Sequence, residues 1–463
     1  MELQIVAHAC LAVRAAGVRL VVDPWVEGPV YWGSWWHWPE PVLAPDFFDA
    51  DFIYLTHWHF DHFHEESLQR FNKRAHVLVA AFPVSAMVKH LRKLGFTQVT
   101  ELPQAGSFDL APGFRLTSYQ VRHEDDSVAV IEADGAVIVD LNDAKPMAST
   151  WKLLRARHPR VDFMLRSHSP AWSYPTCYTF EDASQKFEVS RRSYVDAFIA
   201  AARILQPRHA VPFASGVCHL HRDVISQNDA MVTTDQVAAV WNEDAHPGTE
   251  LTIMPAGSSW STADGFSLTT APDIAAHVQR LTEREASRLE SIYRAEEGRT
   301  CSFETFNAFF GEFFRRGGWA SRWVDAHWAF RLTRNGREEF WCADFRRRQV
   351  TRQETLPDSV TSVITVPEAL LEDALQRYIV TNIDISKRWR VHIRRGGAMR
   401  HVVAMILLGW FEAGYCDPGS ILTRRAMVGL LRRYPEAIDY ATIGLHLLKR
   451  DQDAVTRAVT DPL

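Results

Sequence analysis

Thr56-His57-Trp58-His59-Phe60-Asp61-His62 is the stretch on which the reading of this chain turns. Three imidazoles and one carboxylate fall between residues 57 and 62. Upstream, DFIYLTH (51–57) is a short apolar strand, and downstream EESLQRFNKR (65–74) has helical spacing. The cluster therefore sits on a loop at the C-terminal end of a strand, where α/β proteins commonly bind ligands. Such a loop can turn His57 and His59 toward one metal ion while Asp61 and His62 face a second. Imidazole and carboxylate donors suit zinc, iron or manganese, and the lack of a nearby thiolate argues against a structural zinc site.

The rest of the chain can support such a site. Its 463 residues allow two or three domains at about 150 residues each. With 47% hydrophobic and 23% charged residues, it has the composition of a chain that buries a large core, which excludes general disorder. A net charge of -5 argues against a generic nucleic-acid coat. The arginine-rich segments FFRRGG, DFRRRQVTRQ and SKRWRVHIRR do not change that, because acidic residues are interspersed. Cys10, Cys177, Cys218, Cys301, Cys342 and Cys416 form no CxxC pair, so buried reduced thiols and a cytoplasmic location are expected. The longest apolar window, residues 402–411, is too short to span a bilayer, and no signal segment follows Met1.

Strand and helix patterns alternate through the first 240 residues. Residues 3–13 and 18–23 read as a hairpin turning at Ala16-Gly17, 76–82 as a strand and 84–95 as a helix. GFRLTSYQV, DSVAVIEAD and GAVIVDL are strands in close succession, with a tight turn at Asp134-Gly135. VDFMLRSH (161–168) and HAVPFAS (209–215) are strands flanking a helix at 190–206. This predicts an α/β layered catalytic domain over residues 1–240. Residues 241–275 are turn-rich and read as a linker or a cover for a sheet edge. Residues 276–463 read as a smaller α+β domain, and their strand–helix order after residue 361 resembles a sterol-carrier-like module. Packing, homodimerisation or docking of a carrier protein are its expected roles.

The motif HxHxDH resembles the signature of the metallo-β-lactamase superfamily. Within it, Asp23-Pro24-Trp25, Glu27-Gly28-Pro29, YWGSWWHWPEP (31–41), THWHFDHFH (56–64), VIVDLNDAKP (137–146), SHSPAWSYPTCYTF (167–180) and VPFASGVCHLHRD (211–223) resemble the metal-binding domain of the CMP-N-acetylneuraminate hydroxylase branch. The likeness covers about residues 1–235. It implies an αββα sandwich and a pair of metal ions. Beyond His57, His59, Asp61 and His62, it implies His123 as a ligand, Asp143 in preference to Asp140 as a bridging carboxylate, and His219 as the last histidine. His221 and His168 are alternatives, and Glu124 would make the site richer in oxygen and favour iron. The resemblance also implies that Asp23 orients the metal loop. His8, on the first strand, reads as a packing or supporting residue.

Two divalent ions on such ligands serve two reaction classes. As Lewis acids they generate hydroxide for hydrolysis of a lactone, ester or phosphodiester, with Asp61 or Asp143 orienting water or handling its proton. As iron ions they activate dioxygen. The branch resemblance points to a diiron oxygenase acting on a small amino- or acyl-bearing metabolite, and a zinc or manganese hydrolase is the alternative. A module that keeps the motif without turnover is a third reading. The CxH…CxxH ligand pattern of a Rieske cluster is absent from this sequence, so an oxygenase here needs a ferredoxin, a reductase or another external electron source. Trp35, Trp36, His64, Trp172 and Tyr174 are the candidate walls of a substrate pocket, with a hydrophobic plug as the competing role for the tryptophan run.

Overall fold

A computed structural model describes residues 1–84, 86–121, 126–334 and 336–448. Strict alternation in the first strands sets the layering. In Val18–Val22, Leu20 and Val22 face one core while Val21 faces another. Phe52–Leu55 divides the same way, with Tyr54 on one side and Ile53 and Leu55 on the other. Strands buried on both faces need a layer on each side.

That requirement is met by two facing sheets. The first has eight strands in the order Gly265–Ser267, Ser259–Ser261, Glu2–Ile5, Leu11–Ala15, Val18–Val22, Phe52–Leu55, His76–Ala80 and Val99–Leu102. The second has seven, in the order Glu250–Leu251, His209–Pro212, Phe163–Arg166, Ala136–Asn142, Asp126–Ala133, Phe114–Val121 and Gly106–Ala111. Leu3, Val13, Leu20 and Leu78 meet Leu116, Ile131, Phe163 and Val211 between them. The helices Glu65–Arg70 and Ala86–Lys93 cover the outer face of the first sheet. Ala148–Arg157, Arg191–Leu205 and Thr234–Trp241 cover that of the second. The result is the αββα sandwich.

A third sheet, of six strands, carries a separate core. The helix Phe303–Arg316 lays Phe306, Phe310 and Phe313 on Trp328, Phe330 and Phe345, which is the i, i+4, i+7 stripe of an amphipathic helix. Glu368–Arg377 and Ala398–Glu412 complete the cover. No helix among the described residues is long and apolar enough to cross a membrane.

The two units are interleaved rather than joined by a linker. Residues 241–275 supply edge strands to both sandwich sheets: Glu250–Leu251 pairs with His209–Pro212, and Ser259–Ser261 pairs with Glu2–Ile5. Strands of two or three residues leave no periodic pattern, because the neighbouring sheet edge supplies the hydrogen bonds that hold them. In the other direction, Tyr178–Phe180 leaves the sandwich to pair with Arg390–Ile393 of the third sheet. The C-terminal helices return to the sandwich, where Asp439 accepts from the Ser149 backbone N–H at 3.0 Å and hydroxyl at 2.6 Å. Trp389 sits at this seam, 1% exposed, its indole N–H on Ser173 Oγ at 2.8 Å. Trp389→Ala should destabilise the chain by about 3–5 kcal/mol, read from the denaturant midpoint.

Candidate metal centre

The centre is assembled where two parallel strands end side by side. Val18–Val22 and Phe52–Leu55 are paired in register, so Asp23 and Thr56 leave the sheet together. Asp23 adopts a left-handed conformation (φ 43°), which aspartate tolerates better than most residues. Its fully buried carboxylate accepts from the Thr56 N–H at 2.9 Å, the Thr56 hydroxyl at 2.6 Å and His62 Nδ1 at 2.7 Å. Backbone bonds from His62 and Phe63 to the His59 carbonyl close the loop, and Ser127 Oγ donates to the Thr56 carbonyl at 2.7 Å. The HxHxDH loop is thus fixed at its root and folded back on itself.

With Nδ1 of His62 held by Asp23, its Nε2 points into the cluster. It lies 3.4 Å from both Asp61 Oδ2 and Asp143 Oδ1. His57 turns Nδ1 toward Thr56 Oγ1 (2.9 Å) and Asp126 Oδ1 (3.3 Å), which leaves Nε2 3.8 Å from Asp143 Oδ1 and 2.8 Å from His59 Nδ1. His8 Nε2 is 3.1 Å from Asp61 Oδ2, and the Tyr31 hydroxyl donates to Asp61 Oδ1 at 2.5 Å. His57, His62 and Asp143 offer donor atoms within 4.8 Å of one another, as do His8, Asp61 and His62.

Two of these atoms, His62 Nε2 and Asp143 Oδ1, are buried with no hydrogen-bond partner. Burying a polar atom in this way is costly unless something pairs it. Donor atoms about 2.0 Å from a tetrahedral zinc ion are separated by about 3.3 Å, close to the spacings around His62. The residues present fit divalent metal ions. His62 belongs to both groups of donors, and one Asp143 carboxylate oxygen faces both His57 and His62.

The titration behaviour follows from the same packing. Burial pulls His62 down, but Asp61, Asp143 and Asp23 outweigh it and hold the ring well above the usual histidine range. His57 is likewise raised: burial opposes its charge, and Asp126 and Asp143 override that. Asp61 is driven well below the usual carboxylate range, burial being outweighed by His62 and His8. His59, buried and beside His57, falls to about 4.

The structure brings together His57, His59, Asp61, His62 and Asp143, with Asp23 beneath them. Asp140 stays inside its strand, fully buried, where it accepts from the Asn142 N–H. His123 and Glu124 lie outside the described residues. No close group of three donors among the described residues includes His219, His221 or His168. His219 turns Nδ1 to the Ser34 carbonyl (3.0 Å) and Nε2 to the ammonium of Lys387 (3.4 Å), a residue of the second unit. His221 faces Asp223, Glu296 and Tyr293. His168 is buried with both ring nitrogens unpartnered, and burial lowers it to about 4.

The candidate pocket residues separate by exposure. Trp36 packs with Trp38, Cys218, Leu281 and Leu289, its indole N–H on the Gly33 carbonyl, in the manner of a plug. Trp35 is buried and donates to the Ile385 carbonyl. His64 caps the helix Glu65–Arg70 by accepting from the Ser67 N–H. Tyr174 donates to the Phe187 carbonyl. Only Trp172 among the five is exposed, with the Lys145 ammonium 4.2 Å from its ring. Tyr31 was legible only as part of the aromatic run that could wall a pocket, not as a partner of Asp61. Asp126 lay in an acid-rich loop, and Lys387 is 168 residues from His219 and left no signal.

The fold and the donor set define a class. Residues 2–142 match the family described as the beta-lactamase superfamily domain. A Mycolicibacterium smegmatis protein named a Rieske 2Fe-2S iron-sulfur protein is 25% identical over 91% of this chain and 89% of its own length. Cytidine monophosphate-N-acetylneuraminic acid hydroxylase of Mus musculus is 25% identical over 48% of this chain, and the match spans 40% of that enzyme. The Danio rerio hydroxylase is 34% identical over 76 residues, 16% of this chain and 13% of its own. Among solved structures, the metallo-hydrolase Igni18 of Ignicoccus hospitalis aligns over 56% of this chain and 96% of its own (15% identity, TM-score 0.38). CmlA, a diiron β-hydroxylase from Streptomyces venezuelae, aligns over 55% and 53% (18% identity, TM-score 0.37).

Asp23→Ala should weaken metal binding about 10–100-fold, because the loop loses the anchor that aims His62. Competition with a chromophoric chelator measures this, and an unchanged affinity would mean the bond does not position the ligand.

Proposed function

We propose that this protein is a dinuclear metal enzyme, and that it works as a diiron oxygenase on a small amino- or acyl-bearing metabolite. The observation that carries the reading is the convergence of His57, His59, Asp61, His62 and Asp143, with two buried donor atoms left unpaired. Hydroxylase relatives, matched over part of their length, support the choice of oxygen chemistry. Bound iron would supply the activation of dioxygen. His57 and His59 would hold one ion, Asp61 and His62 the other, and Asp143 both.

The remaining work falls to the chain. Tyr31 fixes Asp61 Oδ1, so that Oδ2 stays turned toward His62. Trp25 and Trp35, both buried beside His8, keep bulk water from the inner side of the centre. Lys145, two residues beyond Asp143 and stacked on exposed Trp172, marks the approach for an anionic or acyl group of the substrate. Electrons arrive from a separate ferredoxin or reductase. The same imidazole and carboxylate donors, spaced near the tetrahedral value, also support a zinc or manganese hydrolase, the second reading.

Anaerobic reconstitution with iron, followed by exposure to labelled dioxygen and a reductant, separates the two. Product carrying oxygen from dioxygen is expected; two zinc ions with product oxygen drawn only from water would establish the hydrolase instead. Trp172→Ala should raise KM at least fivefold with metal content unchanged, and an unaltered KM would remove Trp172 from the approach.

A further inference from the structure

Once His219 is set aside, the second metal position has no histidine from the end of the sandwich domain. Both its ring nitrogens are engaged, and the group on Nε2 is a buried ammonium. Lys387 is also held by the Pro170 carbonyl at 3.2 Å, so it is anchored independently of His219. For His219 to bind a metal ion, Lys387 would have to leave a fully packed interface.

Another imidazole already stands at that position. Between the strands Glu2–Ile5 and Leu11–Ala15 the chain makes a short loop, closed by Val6 and Ala7 N–H groups on the Cys10 carbonyl, with His8 at its tip. The His8 carbonyl accepts from the Ala214 N–H at 3.0 Å, which ties the loop to the second sheet. Gly216 closes over it: a Cβ there would lie 3.4 Å from His8 Cα and 2.8 Å from the Trp38 carbonyl oxygen, so the approach requires glycine. The ring is fixed edge-on by Trp25, Trp35 and His62, with centroids 5.5, 6.0 and 5.9 Å away.

We infer that His8 is a metal ligand, completing the second position with Asp61 and His62 in place of the C-terminal histidine. His8 Nε2 lies 3.1 Å from Asp61 Oδ2, Asp61 Oδ2 lies 3.4 Å from His62 Nε2, and the three donor atoms all fall within 4.8 Å of one another. These are the separations of donors sharing one ion, about 3.3 Å for a tetrahedral set. A further observation favours a cation among them: His62 Nε2 is buried with no hydrogen-bond partner.

The inference rests on the dinuclear reading above, and one experiment separates their fates. Metal-stripped wild type, His8→Ala and His219→Ala are titrated with Co(II), following the ligand-field spectrum and bound metal by atomic absorption. Wild type should take two equivalents. His8→Ala should take one tight equivalent, the affinity of the other falling at least tenfold with loss of its visible band, while His219→Ala should keep both within twofold. Should His8→Ala fail to fold, His8→Gln is read in its place, since glutamine retains a hydrogen bond to Asp61. Two equivalents and an unchanged spectrum in the His8 variant, or loss of one equivalent in His219→Ala, would overturn the assignment. Fewer than two equivalents in wild type would instead bring down the dinuclear reading.

Discussion

The Asp23 carboxylate is the joint on which the centre depends. Fully buried, it needs a donor for each lone pair that faces the protein. Thr56 supplies two and His62 a third, and those same bonds decide where the metal loop starts and which nitrogen His62 offers. Because Asp23 and Thr56 end adjacent parallel strands, the sheet itself delivers the carboxylate to the loop. The histidine carboxylate pair common behind metal sites is here built from secondary structure rather than from a flexible contact.

The second unit is part of the scaffold around this centre. Its segment 384–389 threads between the tryptophan run and the sandwich loops. Lys387 meets His219; the Arg388 guanidinium is buried against Asp223 at 2.8 Å, Glu296 at 2.6 Å and the Trp32 carbonyl at 3.1 Å; Trp389 reaches Ser173. Removing either side of such a buried charge network leaves an uncompensated ion, so the two units hold each other in register. Burial brings Lys387 down to about 8, which is the cost of placing an ammonium there. The tryptophans that look like pocket walls are drawn into the same seam, where Trp32 and Trp35 donate to Asp373 and Ile385.

Much of the architecture was written in local pattern. The strands at 18–22, 52–55, 76–80 and 126–142 could be read because buried strands alternate or run apolar, and the helix 191–205 because its apolar stripe has the right period. Asp143 was separable from Asp140 because it stands one residue past the strand rather than within it. Edge strands such as 250–251 and 259–261 were not legible: two or three residues carry no period, and a partner sheet holds them.

By itself, the sequence determined the layered fold, the loop that concentrates metal donors, and the carboxylates around it, since all of these follow from spacing within a few residues. Tertiary structure alone decided which histidines converge. His8, His168, His219 and His221 each end or interrupt a strand and look alike in one dimension. Their different fates come from long-range neighbours: Asp61 for His8, Lys387 for His219 and Glu296 for His221, while neither ring nitrogen of buried His168 meets a hydrogen-bond partner. An imidazole's role is fixed by what faces its two nitrogens, and those partners come from elements tens to hundreds of residues away.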